Sequence, residues 1–92
     1  MIKSFRHKGL RAFFETGSKK GIQAEHAKRL RLQLDALDSA SSAYDMDIPG
    51  YQLHALLGPR SNRWSIWVSN SWRLTFEFMN SDVYALDYEN YH

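Results

Sequence analysis

Apolar residues in the first half of the chain recur every three to four positions, which is the period of an amphipathic helix. Leu10, Phe13 and Phe14 predict a short helix, and Gly17 is placed to end it. A second helix is predicted over residues 23–39, where one stripe is apolar: Ala27, Leu30, Leu34 and Leu37. The two helices would therefore each present one face to a common core.

After Pro49-Gly50 the apolar positions alternate with polar ones, which is the period of a β-strand. Alternating runs cover residues 51–56, 64–69, 72–78 and 83–89, and turn-forming residues separate them. Residues 1–5 predict one more short strand. Helices followed by a series of strands indicate an α+β fold, with a short N-terminal strand, two helices and an antiparallel meander of three or four strands. The length fits a single domain over residues 1–92.

Strand alternation also predicts which side chains share a face of the sheet. The face toward the helices should carry the apolar set: Tyr51, Leu53, Ile66, Val68, Leu74, Phe76, Tyr84 and Leu86. The other face should carry the polar set: Gln52, His54, Trp67, Arg73, Thr75 and Glu77. Tyr91 joins this second face if the last strand keeps its alternation, and a β-bulge there would shift the assignment by one residue.

Charge and composition narrow the possible functions. Nine of the 12 Lys and Arg but only two of the 10 Asp and Glu lie in residues 1–34, so the helical half is basic. A basic surface suits a polyanion, although lysine and arginine also simply solvate helix surfaces. There is no cysteine, which excludes disulfides and Cys-based zinc sites and fits a reducing compartment. No apolar run approaches a membrane span, and we expect a cytoplasmic protein.

The polar face carries a combination of residues that suits RNA cleavage by the neighbouring 2′-hydroxyl. That reaction needs proton transfers, for which histidine is suited, and a cation on the phosphate, for which arginine is suited. His54, Arg73 and Tyr91, with His92 at the edge, would supply these groups without a metal or other cofactor. The residues also have ordinary interpretations: an isolated surface histidine, a pair of Arg73 with Glu77 or another carboxylate, and a frayed terminus. Trp67 could close a small apolar cluster, and His7 and His26 are predicted to be surface residues.

The whole chain resembles the HigB branch of the RelE/ParE toxin superfamily. The matching segments are residues 1–5, 51–56, 64–66, 72–76 and 87–92. The Trp-Arg-Leu-Thr-Phe strand and the terminal Asp-Tyr-Glu-Asn-Tyr-His carry most of the resemblance. It implies a RelE-like fold and a toxin that cleaves mRNA in the A site of the 30S ribosomal subunit and inhibits translation.

The resemblance also implies residue roles and partners. His54 corresponds to the family's catalytic strand histidine, Arg73 to its phosphate-binding arginine, and Tyr91 and His92 to its terminal pair. Asn90, Arg60, Arg63 and Trp67 are candidates for substrate binding. Ribosomal RNA would be contacted by a basic group comprising Lys19, Lys20, Lys28, Arg29 and Arg31. The partner would be a HigA-like helix-turn-helix antitoxin, with operator DNA bound only through the complex.

Two residues depart from the family pattern. Leu57 stands where members often have a lysine, and Asn90 stands where they often have an aspartate before the terminal Tyr-His. Arg60 or Arg63 would be the nearest replacements for the missing positive charge. Two other functions stay open on the sequence: a ParE-like toxin that inhibits DNA gyrase, and a non-catalytic RNA-binding module.

Overall fold

A computed structural model describes residues 1–60 and 62–91 of the chain. Two α-helices come first, α1 (Lys8–Thr16) and α2 (Ala27–Ser39). Four strands follow, β1 (His54–Ala55), β2 (Trp64–Ser69), β3 (Trp72–Met79) and β4 (Asp82–Asn90). They form one antiparallel sheet in the order β1-β2-β3-β4. The α+β prediction with an antiparallel meander is therefore confirmed.

Both helices have the buried stripes and the C-terminal ends that the sequence predicts. Gly17, with φ of 81°, ends α1, and its N–H donates to the Phe13 carbonyl at 2.9 Å. In α2 the residues Leu30, Leu34 and Leu37 are fully buried. The predicted start near residue 23 is instead a 3₁₀ turn over Ala24–His26, which runs directly into α2. The tighter turn satisfies backbone groups that a helix end leaves unpaired.

β1 is shorter than the predicted strand over residues 51–56. Gln52 has φ of 49°, a left-handed conformation that cannot continue a β-ladder. Tyr51 therefore leaves the strand, and its carbonyl accepts a hydrogen bond from the Trp67 N–H at 2.7 Å. Only His54 and Ala55 pair with β2, opposite Ser65 and Trp64. The expectation of a full-length first strand is wrong for this local reason.

A β-bulge in β4 decides which of its residues face the helices. Thr75 pairs with Asp87, whereas Glu77 pairs with Tyr84, so the register shifts by one residue between these pairs. Ala85 takes up the extra residue in a left-handed conformation, with φ of 51°. Val83 is consequently buried in place of the predicted Tyr84, while Leu86 is buried as expected. The alternation from Leu86 onward is unbroken, so the predicted position of Tyr91 survives the bulge.

Residues 1–5 lie along β4 but do not form the predicted continuous strand. They make two isolated parallel bridges, Ile2 to Val83 and Phe5 to Leu86, one on each side of the bulge. Between them the Ala85 N–H donates to the Ser4 Oγ at 2.8 Å, so a side chain replaces a ladder bond at the irregular residue. The bulge thus interrupts the pairing of the N-terminal segment as well.

The core lies between the helices and one face of the sheet. Its fully buried members come from both layers: Leu10, Leu30, Leu34, Leu37, Met46, Ile66, Leu74, Phe76, Val83 and Leu86. No helix in the described part of the chain is long and apolar enough to cross a membrane. The opposite face of the sheet is left for polar side chains.

Gly9 and Gly21 approach each other so closely that neither has room for a side chain. A Cβ atom built on Gly9 would lie 2.7 Å from the Gly21 Cα. We therefore predict that Gly9→Ala lowers the free energy of unfolding by about 1–3 kcal/mol, as overpacking does, although alanine is normally the better helix former. The exposed neighbour variant Lys8→Ala should change stability by less than about 0.5 kcal/mol. Urea denaturation checks both, and a Gly9→Ala protein as stable as the parent would contradict the close contact.

Candidate active site

The polar face of the sheet contains an open cleft of about 370 Å³. Its lining comes from the segment around β1 and from the other strands: Gln52, Leu53, His54, Leu56, Ser65, Arg73 and Tyr91. The structure therefore brings together His54, Arg73 and Tyr91, three of the four predicted catalytic residues, although they are far apart in sequence. His92, the fourth, lies outside the described residues.

Arg73 is oriented by the turn between β2 and β3. Its Nη1 donates to the carbonyls of Ser69 at 2.8 Å, Asn70 at 3.3 Å and Trp72 at 2.9 Å. All of its described hydrogen bonds use Nη1, so Nε and Nη2 can bind the oxygens of an anion in the cleft. A guanidinium stays charged throughout the physiological pH range, so it is suited to bind phosphate.

Tyr91 is held against the same turn, and 40% of its surface is exposed. Its backbone N–H donates to the Ser71 carbonyl, and its ring lies 5.7 Å from the Arg73 guanidinium carbon. This places an exposed aromatic ring beside the Arg73 guanidinium. An aromatic ring in that position can stack on an unpaired nucleobase.

The other substrate-binding candidates occupy different surroundings. Trp67 is half-buried and is the register partner of Arg73, but it does not line the cleft. Asn90 is exposed at the end of β4, opposite Trp72. Leu57, which stands where the family resemblance leads us to expect a lysine, is 83% exposed and likewise does not line the cleft. The side chain of Arg60 lies outside the described residues.

Arg63 is buried within the protein and does not line the cleft, contrary to the expectation of a loop cation for substrate. It is 3% exposed, and its Nη1 lies 3.2 Å from a Glu77 carboxylate oxygen. Its Nη2 donates to the Thr75 hydroxyl at 2.8 Å and to the Ala85 carbonyl at 2.9 Å. Glu77 is thus paired with Arg63 and, at 3.9 Å, with Arg6. The alternative in which Glu77 pairs with Arg73 does not apply.

The basic group of the helical half divides into two kinds of residue. Lys19, Lys20 and Lys28 are exposed. Arg29 instead donates to the Gly50 carbonyl at 2.8 Å and lies over the Trp67 ring at 5.2 Å. Arg31 donates to the Phe13 carbonyl at 3.0 Å and lies over the Phe13 ring. The two arginines therefore join elements of the fold, and the three lysines are the members exposed to solvent.

His26 is buried, which corrects the expectation of a surface residue. It is 7% exposed, with Nδ1 at 2.5 Å from the Tyr88 hydroxyl and Nε2 at 2.8 Å from the Ser69 hydroxyl. Burial lowers the pKa of His26 against a smaller opposing effect of Glu25, and burial also raises the pKa of Tyr88. The signal was present in the sequence, because His26 precedes Leu30 by one helical turn and so continues the apolar stripe.

His7 is also less exposed than expected. It is half-buried, and its Nδ1 caps α1 by accepting from the Leu10 N–H at 2.9 Å. Its ring meets the edge of the Tyr88 ring at a centroid distance of 5.3 Å. Among residues 1–60 and 62–91, no group of three or more His, Asp or Glu side chains is arranged to hold a metal ion.

These features define a small α+β protein with a polar cleft on the open face of its sheet, containing an arginine, a histidine and a tyrosine. A family model described as the RelE-like toxin of the type II toxin–antitoxin system HigB matches residues 3–92. The chain is also 46% identical over 92 residues to Endoribonuclease HigB of Proteus vulgaris, and the match covers all of both chains. The chain therefore belongs to the HigB-like toxin family. Membership of a type II toxin–antitoxin family implies an antitoxin partner.

The buried position of Arg63 yields a prediction about stability. Arg63→Met should lower the free energy of unfolding by about 2–3 kcal/mol, because Thr75, Glu77 and Ala85 would each lose a hydrogen-bond or ion-pair partner. The exposed control Arg11→Ala should stay within about 0.5 kcal/mol of the parent protein. Urea denaturation near neutral pH measures both variants. Equal stability of the Arg63→Met protein would show that this network does not stabilise the fold.

The lowered pKa of His26 predicts a pH dependence of stability. The unfolded chain takes up a proton near the ordinary value of 6.5, whereas the folded protein does so only at lower pH. The contribution of neutral His26 is therefore complete above about pH 6.5 and declines as the pH falls below it. Glu25 opposes the shift, and the polar groups in contact with the ring are the hydroxyls of Tyr88 and Ser69.

The measurement is urea denaturation of the parent protein and of His26→Gln from about pH 7.5 to about 5.5, a range that brackets the ordinary histidine pKa. The parent should lose more stability than His26→Gln over this range. Carboxylates titrate in both proteins, so the difference between the two curves isolates His26. Parallel curves would contradict a lowered pKa at this residue.

Proposed function

We propose that this chain is a toxin that cleaves mRNA on the ribosome, as an endoribonuclease that needs no metal ion. The observation that carries the proposal is the cleft where His54, Arg73 and Tyr91 meet. Within the described residues, the hydrogen bonds of Arg73 use Nη1, so its Nε and Nη2 can bind substrate. The full-length relative named as an endoribonuclease supports the same reaction class. A polar cleft of this composition also favours RNA chemistry over gyrase binding, which has no need of it.

The proposed reaction is attack of a 2′-hydroxyl oxygen on the adjacent phosphorus. The P–O5′ bond breaks, which yields a 2′,3′-cyclic phosphate and a 5′-hydroxyl end. Arg73 would bind the non-bridging oxygens with Nε and Nη2 and stabilise the added negative charge of the phosphorane. His54 would carry one proton transfer, either from the 2′-hydroxyl or to the leaving 5′-oxygen. Arg73 would thus neutralise the added charge, and His54 would carry one of the two proton transfers.

The terminal residues and Trp67 complete the proposed site. Tyr91 would stack on a base next to the cleaved bond, and Asn90 would orient the end of the chain by hydrogen bonding. His92 is proposed as the second proton-transfer group on the basis of the family resemblance. Trp67, as the register partner of Arg73, would extend the binding surface along β2.

Recognition of the ribosome is proposed for the exposed lysines. Lys19, Lys20 and Lys28 would contact ribosomal RNA phosphates near the A site of the 30S subunit. Each phosphate contact contributes a salt-dependent term to affinity, so binding should weaken steeply as salt rises. Because ribosomes translate mRNA in the cytoplasm, the protein would act there. The proposed antitoxin is a HigA-like helix-turn-helix protein, and operator DNA would be bound only through the complex of the two proteins.

Removal of the last two residues tests the proposed site. A protein lacking Tyr91 and His92 should fold normally, because Tyr91 is exposed and is not part of the core, but it should lose mRNA cleavage. Arg73→Ala should lower the single-turnover rate roughly 100- to 1,000-fold, which is the usual cost of losing one charge-stabilising donor. The control Arg11→Ala lies in α1 and should retain the parent rate.

The assay uses purified ribosomes carrying a defined mRNA, with primer extension to map the cut and analysis of the new ends. Cleavage should require the ribosome and leave 2′,3′-cyclic phosphate and 5′-hydroxyl ends, which are the products of attack by the neighbouring 2′-hydroxyl. A truncated protein that still cuts mRNA would show that the site is elsewhere. Intact mRNA with induced DNA damage would indicate a gyrase inhibitor, and salt-dependent RNA binding without cleavage would indicate a binding module.

A further inference from the structure

On its core side, the turn that orients Arg73 packs against a group of buried and half-buried polar and aromatic side chains. This group, the turn cluster, consists of His26, Ser69, Trp72 and Tyr88. The Trp72 and Tyr88 rings are stacked at a centroid distance of 4.4 Å, and the His26 ring meets each of them edge-on. The cluster lies on the core side of the sheet, opposite the cleft.

One short path of hydrogen bonds runs from His26 to Arg73. The His26 Nε2 lies 2.8 Å from the Ser69 Oγ, and the carbonyl of the same Ser69 accepts from the Arg73 Nη1 at 2.8 Å. Ser69 is also where the pairing of β2 with β3 becomes irregular, with a register shift between Trp67 and Ser69. Its conformation is therefore not fixed by a regular ladder, and the bond to His26 is an additional restraint.

His26 is itself held by a hydrogen bond at each ring nitrogen. Its Nδ1 lies 2.5 Å from the Tyr88 hydroxyl, which also accepts a hydrogen bond from the Gln23 N–H at 3.3 Å. Each ring nitrogen therefore faces a hydroxyl, and a neutral imidazole donates to one and accepts from the other. Rotation of the ring would break both bonds within the protein interior, where unpaired polar groups are costly.

We propose that His26 is a positioning residue that fixes the Arg73 guanidinium through Ser69, an inference that rests on the proposed ribonuclease function. His26 does not reach the cleft, so it would not touch RNA. Its role would be to hold the Ser69 carbonyl where Nη1 binds it, so that Nε and Nη2 are directed at the phosphate.

The geometry offers a matched pair of variants. The Gln side-chain amide can stand in for the His Nε2, which faces Ser69, whereas the Asn amide can stand in only for Nδ1, which faces Tyr88. We expect His26→Gln to cleave within about threefold of the parent rate and His26→Asn to lose about tenfold or more in single-turnover rate. Ser69→Gly, which removes the hydroxyl, should behave like His26→Asn. The KM for ribosome-bound mRNA should stay unchanged in all three.

A general loss of stability must be separated from a loss of positioning. Leu37→Val removes one methylene group from the core on α2 and should destabilise the protein while leaving the cleavage rate unchanged. In a protein that already carries Arg73→Ala, adding His26→Asn should slow cleavage no further, because the group that His26 positions is gone. Additive losses in the double variant, or equal rates for His26→Gln and His26→Asn, would overturn the proposal.

A measurement that needs no activity keeps this inference distinct from the proposed function. In NMR spectra the Arg73 guanidinium should rotate slowly in the parent protein and in His26→Gln, and faster in His26→Asn. If the parent protein does not cleave mRNA but this difference is seen, the proposed function fails and the positioning contact stands. If rotation is the same in all three proteins, His26 does not position Arg73, whatever the activity.

Discussion

The left-handed conformation of Ala85 determines which side chains of β4 face the core. One extra residue at this point turns Val83 into the core before the bulge and Leu86 into the core after it. Without the bulge, one of the two sets of side chains would face the wrong side of the sheet, because strand side chains alternate strictly. The carbonyl of Ala85 is also used, since it accepts a hydrogen bond from the buried Arg63. The residue that interrupts the regular strand therefore also supplies a hydrogen-bond acceptor for the buried Arg63.

The second constraint is the tight connection between β2 and β3. Within the few residues from Ser69 to Trp72, three carbonyls bind Arg73 and a fourth binds the Tyr91 N–H. An irregular turn can direct several carbonyls toward one cation, which a regular ladder cannot do because its carbonyls are already paired. The same turn packs a tryptophan against Tyr88 on the core side. It therefore joins the packing of the core to the geometry of the cleft.

Much of this arrangement could be predicted from the spacing of residues. The helical stripe predicted α2 because Leu30, Leu34 and Leu37 needed a common apolar surface, and alternation predicted that His54, Arg73 and Tyr91 share a face. Local exceptions were not predictable in the same way. Nothing in the type of residue 52 requires a left-handed backbone, and the shortened β1 follows from that conformation. The burial of Arg63 depends on Glu77 and Thr75 on another strand, a tertiary relation that spacing along one strand does not contain.

The N-terminal segment has a consequence for how this sheet can associate with other chains. Val83 and Leu86 each use both backbone groups on residues 1–6: the Val83 carbonyl and N–H bind Lys3 and Met1, and Leu86 binds Ser4 and Arg6. This stretch of β4 therefore has no backbone groups left for a further strand. A peptide from another chain could add to the sheet here only after residues 1–6 had dissociated from β4. A chain that occupies its own sheet edge in this way limits edge-to-edge aggregation and favours partners that recognise side chains.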